Sequence, residues 1–381
     1  MQASARQVAF DVLLAVADGA LSGDTLDRAS AGLDSREAGL ATEIVYGVLR
    51  RRAQLQALIA CVSSRRPEQL DTRVLIAIEI GAYQMRFLDR VPDHAAVSES
   101  VELVKRARKA PAAALVNAVL RRLLPLPTRW GDDALTYSLP SWLWRRWVDR
   151  FGLDDARRLG QACLRPPAAY VRLAGVAEPP AGCEPTELPG CWLVTGAVPP
   201  GARRQDIGSQ MVVPLLELQP GHLLLDLCAA PGNKTAQALE TPGLTTVACD
   251  ASPARLREFH ASGARLVRLD AAQPLPFAPV FDRVLVDAPC SGTGTLARNP
   301  EIRWRLKLPD LARHAERQRR ILSHALNCLK PGGRLVYSTC SLEPEEDQDV
   351  VRAVAAGRVR FERLRVPGRD AGDGFYAAVL T

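Results

Sequence analysis

What the 381-residue chain lacks narrows its function first. No run of about 18 apolar residues occurs, so no membrane-spanning helix is expected. The start "MQASARQVAFDVLLAV" carries charges inside an amphipathic pattern, unlike the unbroken apolar stretch of a secretory signal, and points to the cytoplasm. The nine cysteines form no CxxC pair and no Cys/His ligand spacing; an odd number of thiols in a reducing compartment argues against a disulfide framework and against a metal. Cys61, Cys163, Cys249 and Cys328 lie in apolar contexts and read as packing residues. Internal repeats and low-complexity tracts are also absent. What is present is length enough for two or three domains and a net charge of +7, carried mostly by Arg, which suits a polyanionic partner.

Through residue 128 the apolar residues recur at helical spacing, in "ARQVAFDVLLAVA", "AGLATEIVYGVLRRRAQLQALIACV", "TRVLIAIEIGAYQMRFL", "VSESVELVKRAR" and "AAALVNAVLRRLL". An all-helical domain over 1–128 is expected, ended by the prolines of "LPLPTRW". Residues 129–205 read as a small connecting subdomain, helical in "LPSWLWRRWVDRFGLDDARRLGQACL" and then Pro-rich and short-stranded. From 206 to 381 strands and helices alternate, which implies a multidomain protein with an α/β, Rossmann-like, mostly parallel sheet. Ligands of such sheets sit beyond the carboxyl ends of the strands, at the switch point.

Each strand of that region ends on a polar residue. "DLCAAPGNKT" places Cys228, Ala229, Ala230, Pro231, Gly232, Asn233 and Lys234 between a strand and a helix, where small residues let a cofactor approach the backbone. The loop has neither GxGxxG nor Walker spacing, so a diphosphate is not indicated. Asp250 ends the next strand, about twenty residues on, where an acid can accept two ribose hydroxyls. Asp270 ends the third, placed to bond an adenine amino group or to cap a turn. An adenosine cofactor without a diphosphate is S-adenosylmethionine. The fourth strand delivers Asp287-Ala288-Pro289-Cys290 and the fifth Ser338-Thr339-Cys340-Ser341, so two thiols and a carboxylate face one pocket. Thiolate attack at carbon 6 of cytosine activates carbon 5 toward a methyl group, and a carboxyl group on the base stabilises charge at nitrogen 3. The Pro-Pro-aromatic run of adenine amino methylation is missing, so carbon methylation is the better reading. These residues do not rank the two thiols.

"DLCAAPGNKT", "DAPCSGTGTLARNPEIRW" and "GGRLVYSTCSLEPEEDQDVV" resemble the RNA 5-methylcytosine methyltransferase family. "ARQVAFDVLLAV", "YGVLRRRAQL" and "LVNAVLRRL" resemble the NusB-like RNA-binding fold. With "DIGSQMVVPLLELQPG" and "DGFYAAVLT", the whole is similar to the bacterial 16S ribosomal RNA cytosine-5 methyltransferase B group. The resemblance implies an all-α NusB-like domain joined to a class I methyltransferase domain that binds S-adenosylmethionine through residues 228–234, Asp250 and Asp270. It implies that Asp287 borders cofactor and base, that Cys340 is the nucleophile, and that Cys290 assists product release. Asn233 departs from the family's usual Gly and is expected to tolerate left-handed backbone. "VRLAGV" departs from the family's Arg-Val-Asn strand.

The implied substrate is small-subunit ribosomal RNA, with a looped or flipped-out cytosine. Candidate RNA contacts are Arg50, Arg51 and Arg52, then Lys105, Arg106, Arg108 and Lys109, then Arg298, Arg303, Trp304 and Arg305; solvated helix faces or packing roles are the competing readings. A monomer is expected. The rival functions are a transfer RNA or DNA cytosine methyltransferase, an antitermination partner, and a catalytically idle RNA-binding or ribosome-assembly factor.

Overall fold

The structure is a computed structural model that describes residues 4–123, 130–176 and 178–381. It divides into two compact units: Met1–Arg165 with Leu296–Arg305, and Pro166–Thr295 with Leu306–Thr381. The expected boundary at residue 128, in "LPLPTRW", lies outside the described residues except for Trp130. The expected connecting subdomain is divided: its helices join the first unit and its strands the second.

In the first unit, the described helices before residue 166 are α1 (Ala5–Ala17), α2 (Ser22–Ser30), α3 (Ser35–Val62), α4 (Thr72–Phe87), α5 (Asp93–Arg106), α6 (Ala113–Leu123), α7 (Asp133–Thr136), α8 (Ser141–Phe151) and α9 (Leu153–Leu164). Helix α2 is too polar to announce itself by periodicity and was not expected. Asp34 caps α3, accepting from the backbone N–H groups of Arg36 and Glu37 at 2.9 Å. The apolar stripes of α1, α3, α4, α5 and α6 close on one core that includes Phe10, Leu13, Ile44, Leu49, Ile78 and Leu120. Cys163 is buried in α9, as read from its context, whereas Cys61 near the end of α3 is exposed.

The segment Leu296–Arg305 supplies this unit with groups its own helices lack. Glu301 accepts from the Ser22 N–H at 3.0 Å and the Ser22 hydroxyl at 2.9 Å, binding the first turn of α2. Arg303 is 1% exposed, and its guanidinium donates to the carbonyls of Arg50 (3.3 Å), Ser138 (3.2 Å), Cys163 (3.0 Å) and Leu296 (2.9 Å).

In the second unit, β1 (Tyr170–Arg172), β2 (Cys183–Pro185), β3 (Cys191–Val194) and β4 (Arg203–Arg204) form an antiparallel sheet in the order β2-β3-β1-β4. The principal sheet contains β5 (Leu223–Leu227), β6 (Thr245–Asp250), β7 (Arg265–Arg268), β8 (Phe281–Asp287), β9 (Leu329–Thr339), β10 (Val359–Arg365) and β11 (Phe375–Leu380). Its order is β10-β11-β9-β8-β5-β6-β7, parallel from β9 to β7, with β11 and β10 added antiparallel. Successive residues alternate between faces: Leu225, Leu227, Val284 and Val286 meet the helix Leu308–Cys328, while Leu224, Leu285 and Val336 meet Val212 and Leu216. The chain runs outward through β5, β6 and β7 and resumes at β8 on the other side of β5, so the switch point lies between β5 and β8. This is the Rossmann-like α/β class expected from the sequence.

The buried guanidinium of Arg303 gives a direct test of the first unit. Arg303→Met would strand four carbonyl groups, and we expect a loss on the order of 3 kcal/mol. A urea titration should show the midpoint of the helical unit falling clearly, with Arg303→Lys intermediate because an ammonium has only three donors.

Candidate active site

The site forms where β5, β6, β8 and β9 end. Parallel pairing sets Asp287 opposite Ser338, and the segments that follow carry Cys290 and Cys340. The two sulfurs are 3.4 Å apart and both residues are half-buried. The Cys290 thiol is pushed well above the usual thiol range, first by its hydrogen bond with Cys340, then by burial, then by the charges of Cys340 and Glu346. A charge on Cys340 at this distance opposes ionisation of Cys290.

Asp287 is held from two sides. Its Oδ2 accepts from Lys234 Nζ at 2.7 Å and its Oδ1 from the Ser338 hydroxyl at 2.9 Å. Lys234 is itself 8% exposed, and its ammonium lies 5.2 Å from the centre of the Phe375 ring. The loop that delivers it turns through two left-handed residues, Cys228 (φ 61°) and Gly232 (φ 104°). A Cβ at Gly232 would lie 3.1 Å from Phe259, so both backbone and space require glycine there. Asn233 corrects an expectation: it is the first residue of the helix Asn233–Ala238 and needs no left-handed tolerance, and its Oδ1 sits 3.0 Å from His260 Nε2. Between these turns, the Ala229 N–H donates to the carbonyl of Cys249 at 2.9 Å, and Ala230 and Pro231 complete the loop. Asp250, 5% exposed, accepts from the N–H groups of Ala230 (3.2 Å) and Ser252 (2.9 Å), with Arg255 at 3.4 Å. Asp270 accepts from the Ala272 N–H at 3.1 Å and faces Arg317 at 3.4 Å, which is the turn-capping geometry weighed from the sequence.

Sequence reasoning missed the group that joins the two thiol corners. Glu346, fully buried, accepts at Oε1 from the Ser291 N–H (2.8 Å) and Gln318 Nε2 (3.1 Å), and at Oε2 from the hydroxyls of Ser291 and Ser341, the latter at 2.6 Å. Gln318 also donates to the Pro289 carbonyl at 2.9 Å. The signal available was a serine after each cysteine, followed by the acidic "EPEEDQD", which reads as a solvated face. Gly294 tightens the same junction: its N–H donates to the Cys340 carbonyl at 2.9 Å, and a Cβ there would meet the Gly374 carbonyl at 2.4 Å.

The RNA candidates separate by burial. Arg50, 6% exposed, donates to the Ala297 carbonyl at 3.0 and 2.9 Å. Arg303 is consumed by four carbonyls as described, and the Trp304 indole N–H donates to the Leu49 carbonyl at 2.8 Å. Arg305 donates to the carbonyls of Val16 (2.7 Å) and Ala20. The expectation that Arg50 and Arg303 reach RNA is therefore corrected: backbone acceptors inside the helical unit have claimed their donors. Arg51 stacks 4.2 Å from the Phe87 ring centre, Arg52 pairs with Glu79 at 3.7 Å, and Arg298 is half-buried. Lys105, Arg106 and Arg108 are exposed, although Lys105 pairs with Glu102 and Lys109 with Asp71, each at 2.7 Å.

Residues 213–381 match the family described as 16S rRNA methyltransferase RsmB/F, and residues 3–125 match the NusB family. The chain is 34% identical to Ribosomal RNA small subunit methyltransferase B of Vibrio cholerae serotype O1, covering 99% of this chain and 97% of that one. It is 36% identical to the protein of the same description from Thermus thermophilus, covering 98% and 97%. In fold it is similar to a solved structure described as PH0851, with a TM-score of 0.83 at 21% identity over 100% of this chain and 99% of that chain.

Behind the loop, Asp226 on β5 is 1% exposed; its Oδ2 accepts from Thr235 Oγ1 at 2.5 Å and its Oδ1 is buried without a hydrogen-bond partner. Burial raises its pKa to about 7, against the bond from Thr235 and with a further contribution from Asp287. A carboxyl whose folded pKa exceeds its unfolded value stabilises most in the protonated form, so that stability is lost as pH rises from about 4 to about 7. Wild type should therefore lose stability relative to Asp226→Asn over that window and run parallel to it above. Chemical unfolding at a series of pH values measures the difference, and a constant gap from pH 4 to 8 would remove the assignment.

Proposed function

The chain belongs to the 16S rRNA methyltransferase RsmB/F family, and from that premise we propose that it methylates carbon 5 of one cytosine in small-subunit rRNA through a covalent bond from Cys340. The observation that carries this reading is the pair of thiols in contact beside Asp287, itself tied to the cofactor loop through Lys234.

The residues present fit S-adenosylmethionine. Ala229, Ala230 and Gly232 leave the backbone approachable, and Asp250 Oδ1, having accepted one backbone N–H, retains a lone pair for a ribose hydroxyl. When bound, the cofactor supplies an electrophilic methyl group. The Cys340 thiolate attacks carbon 6 while the Cys290 S–H, in contact with it, holds the site's one remaining thiol proton. Asp287 accepts from the amino group of the base and is pre-aligned by Lys234 and Ser338 so that it need not reorganise; the negative charge that the attack places on the ring is discharged when carbon 5 gains the methyl group. Once carbon 5 has gained its methyl group, Cys340 is a neutral thioether and no longer opposes ionisation of Cys290, whose S–H proton passes to solvent water. The Cys290 thiolate then takes the carbon 5 proton, the C–H electron pair restores the 5,6 double bond, and the S–C6 pair returns to Cys340.

Methyl transfer from a sulfonium requires no metal, and one chain carries both thiols, Asp287 and the cofactor loop, which supports a monomeric enzyme. Lys105, Arg106 and Arg108 supply exposed positive charge for the RNA backbone, beside a groove of about 830 Å³ along α5 and α6 that Lys105 and Arg121 also line.

Labelled S-adenosylmethionine offered with protein-free small-subunit rRNA, and transfer RNA as competitor, should methylate one cytosine of the ribosomal RNA. Cys340→Ala should abolish transfer, whereas Cys290→Ala should trap a protein–RNA adduct that survives a denaturing gel. Full activity in Cys340→Ala would reverse the roles of the thiols, and labelling of transfer RNA alone would change the substrate.

A further inference from the structure

The carboxylate joining the two thiol corners has no part in the chemistry above. Glu346 is 0% exposed and its four bonds all come from neutral donors: one backbone N–H, one amide and two hydroxyls. Two of those donors belong to Ser291, adjacent to Cys290, and one to Ser341, adjacent to Cys340. Gln318, which donates to Glu346, also holds the carbonyl of Pro289 on the other side of Cys290. Glu346 is in turn fixed from behind, since its own carbonyl accepts from the Tyr337 hydroxyl at 2.7 Å and its N–H donates to the Glu343 carbonyl at 3.0 Å. A fully buried anion surrounded by neutral dipoles is costly to fold, and simple cross-linking of two loops does not require one.

We propose that Glu346 is a positioning residue for product release: it fixes Cys290 against Cys340 and makes Cys290 the proton acceptor when the covalent bond is undone. The inference rests on the thiol roles proposed above. Of the influences that raise the Cys290 thiol, those of Cys340 disappear when that sulfur becomes a thioether, whereas burial and the charge of Glu346 persist into the adduct. Cys290 is thereby released to ionise at the step that needs it, yet stays basic enough to take the carbon 5 proton. The step balances: the Cys290 S–H proton passes to water, the carbon 5 proton moves to the Cys290 sulfur, its C–H pair restores the 5,6 double bond, and the S–C6 electron pair returns to Cys340.

Glu346→Gln separates charge from shape, because serine hydroxyls can turn to accept from the new amide and preserve the junction. The full-length variant should keep its melting temperature and its affinity for S-adenosylmethionine. Its kcat should fall at least tenfold at unchanged KM for RNA, and the gel-stable adduct should rise at least tenfold over wild type. Glu346→Asp, which keeps the charge, should recover part of the release rate. If Cys290→Ala traps adduct and Glu346→Gln does not, Glu346 has no part in release and the proposal falls. If neither traps adduct, the thiol roles beneath it fall instead. A Glu346→Gln protein that loses melting temperature, cofactor affinity and turnover together, without adduct, marks a structural residue only and also overturns the proposal.

Discussion

The register of β8 against β9 is the constraint on which the site depends. Asp287 lies opposite Ser338, so the chain leaves both strands at the same level and carries one thiol three residues beyond Asp287 and the other two residues beyond Ser338. A slip of one residue would turn every side chain of β8 to the opposite face, burying Asp287 in the wrong core and parting the sulfurs. Hydrophobic alternation fixes the register, with Val284 and Val286 committed to one core and Leu285 to the other. The 3.4 Å contact between sulfurs is thus set by aliphatic packing well below it, and the Gly294 contact with the Cys340 carbonyl finishes the alignment.

Around that junction the second unit gathers several acids with little compensating charge, and it treats each differently. Asp287 has Lys234, an ammonium buried enough that its attraction is only weakly screened. Asp250 has two backbone N–H groups and Arg255. Asp226 lies deepest and is drawn toward the neutral form, sparing Lys234 a second anion to balance. Glu346 has only neutral donors among the described residues. The supply of counter-charge thus differs from acid to acid, although their sequence contexts look alike.

What could be read in the sequence was whatever a contiguous stretch carries. Long amphipathic helices, buried strands and polar strand ends are local patterns, so the α/β class, the switch point and the meeting of Cys290, Cys340 and Asp287 followed from them. What could not be read depends on partners distant in the chain. Arg303 and Lys105 are both basic residues in or beside helices, but the carbonyls that claim Arg303 lie up to 253 residues away, and no local pattern distinguishes it from an RNA-facing arginine. Glu346 sits in an acidic run that resembles a solvated turn, and only the fold reveals two serines and an amide converging on it. The Asn233 expectation failed for a narrower reason: the left-handed turn is made one residue earlier, at Gly232.

The helical unit also extends past residue 128 by contacts that no local pattern marks. Ten residues that directly follow the catalytic corner belong to the helical unit, where Glu301 holds the start of α2 and Arg303 satisfies carbonyls from α3, the α7–α8 turn and α9. A fragment cut at 165 would keep those carbonyls and the Ser22 donors but lose Arg303 and Glu301, and one cut at 128 would keep the α3 carbonyl and Ser22 with the same loss, leaving buried polar groups that each cost about 1–3 kcal/mol. The helical unit is therefore not a separable cassette appended to an enzyme. Its core requires chain that follows Thr295, five residues beyond Cys290, so sequence change in that segment must satisfy the packing of the helical unit.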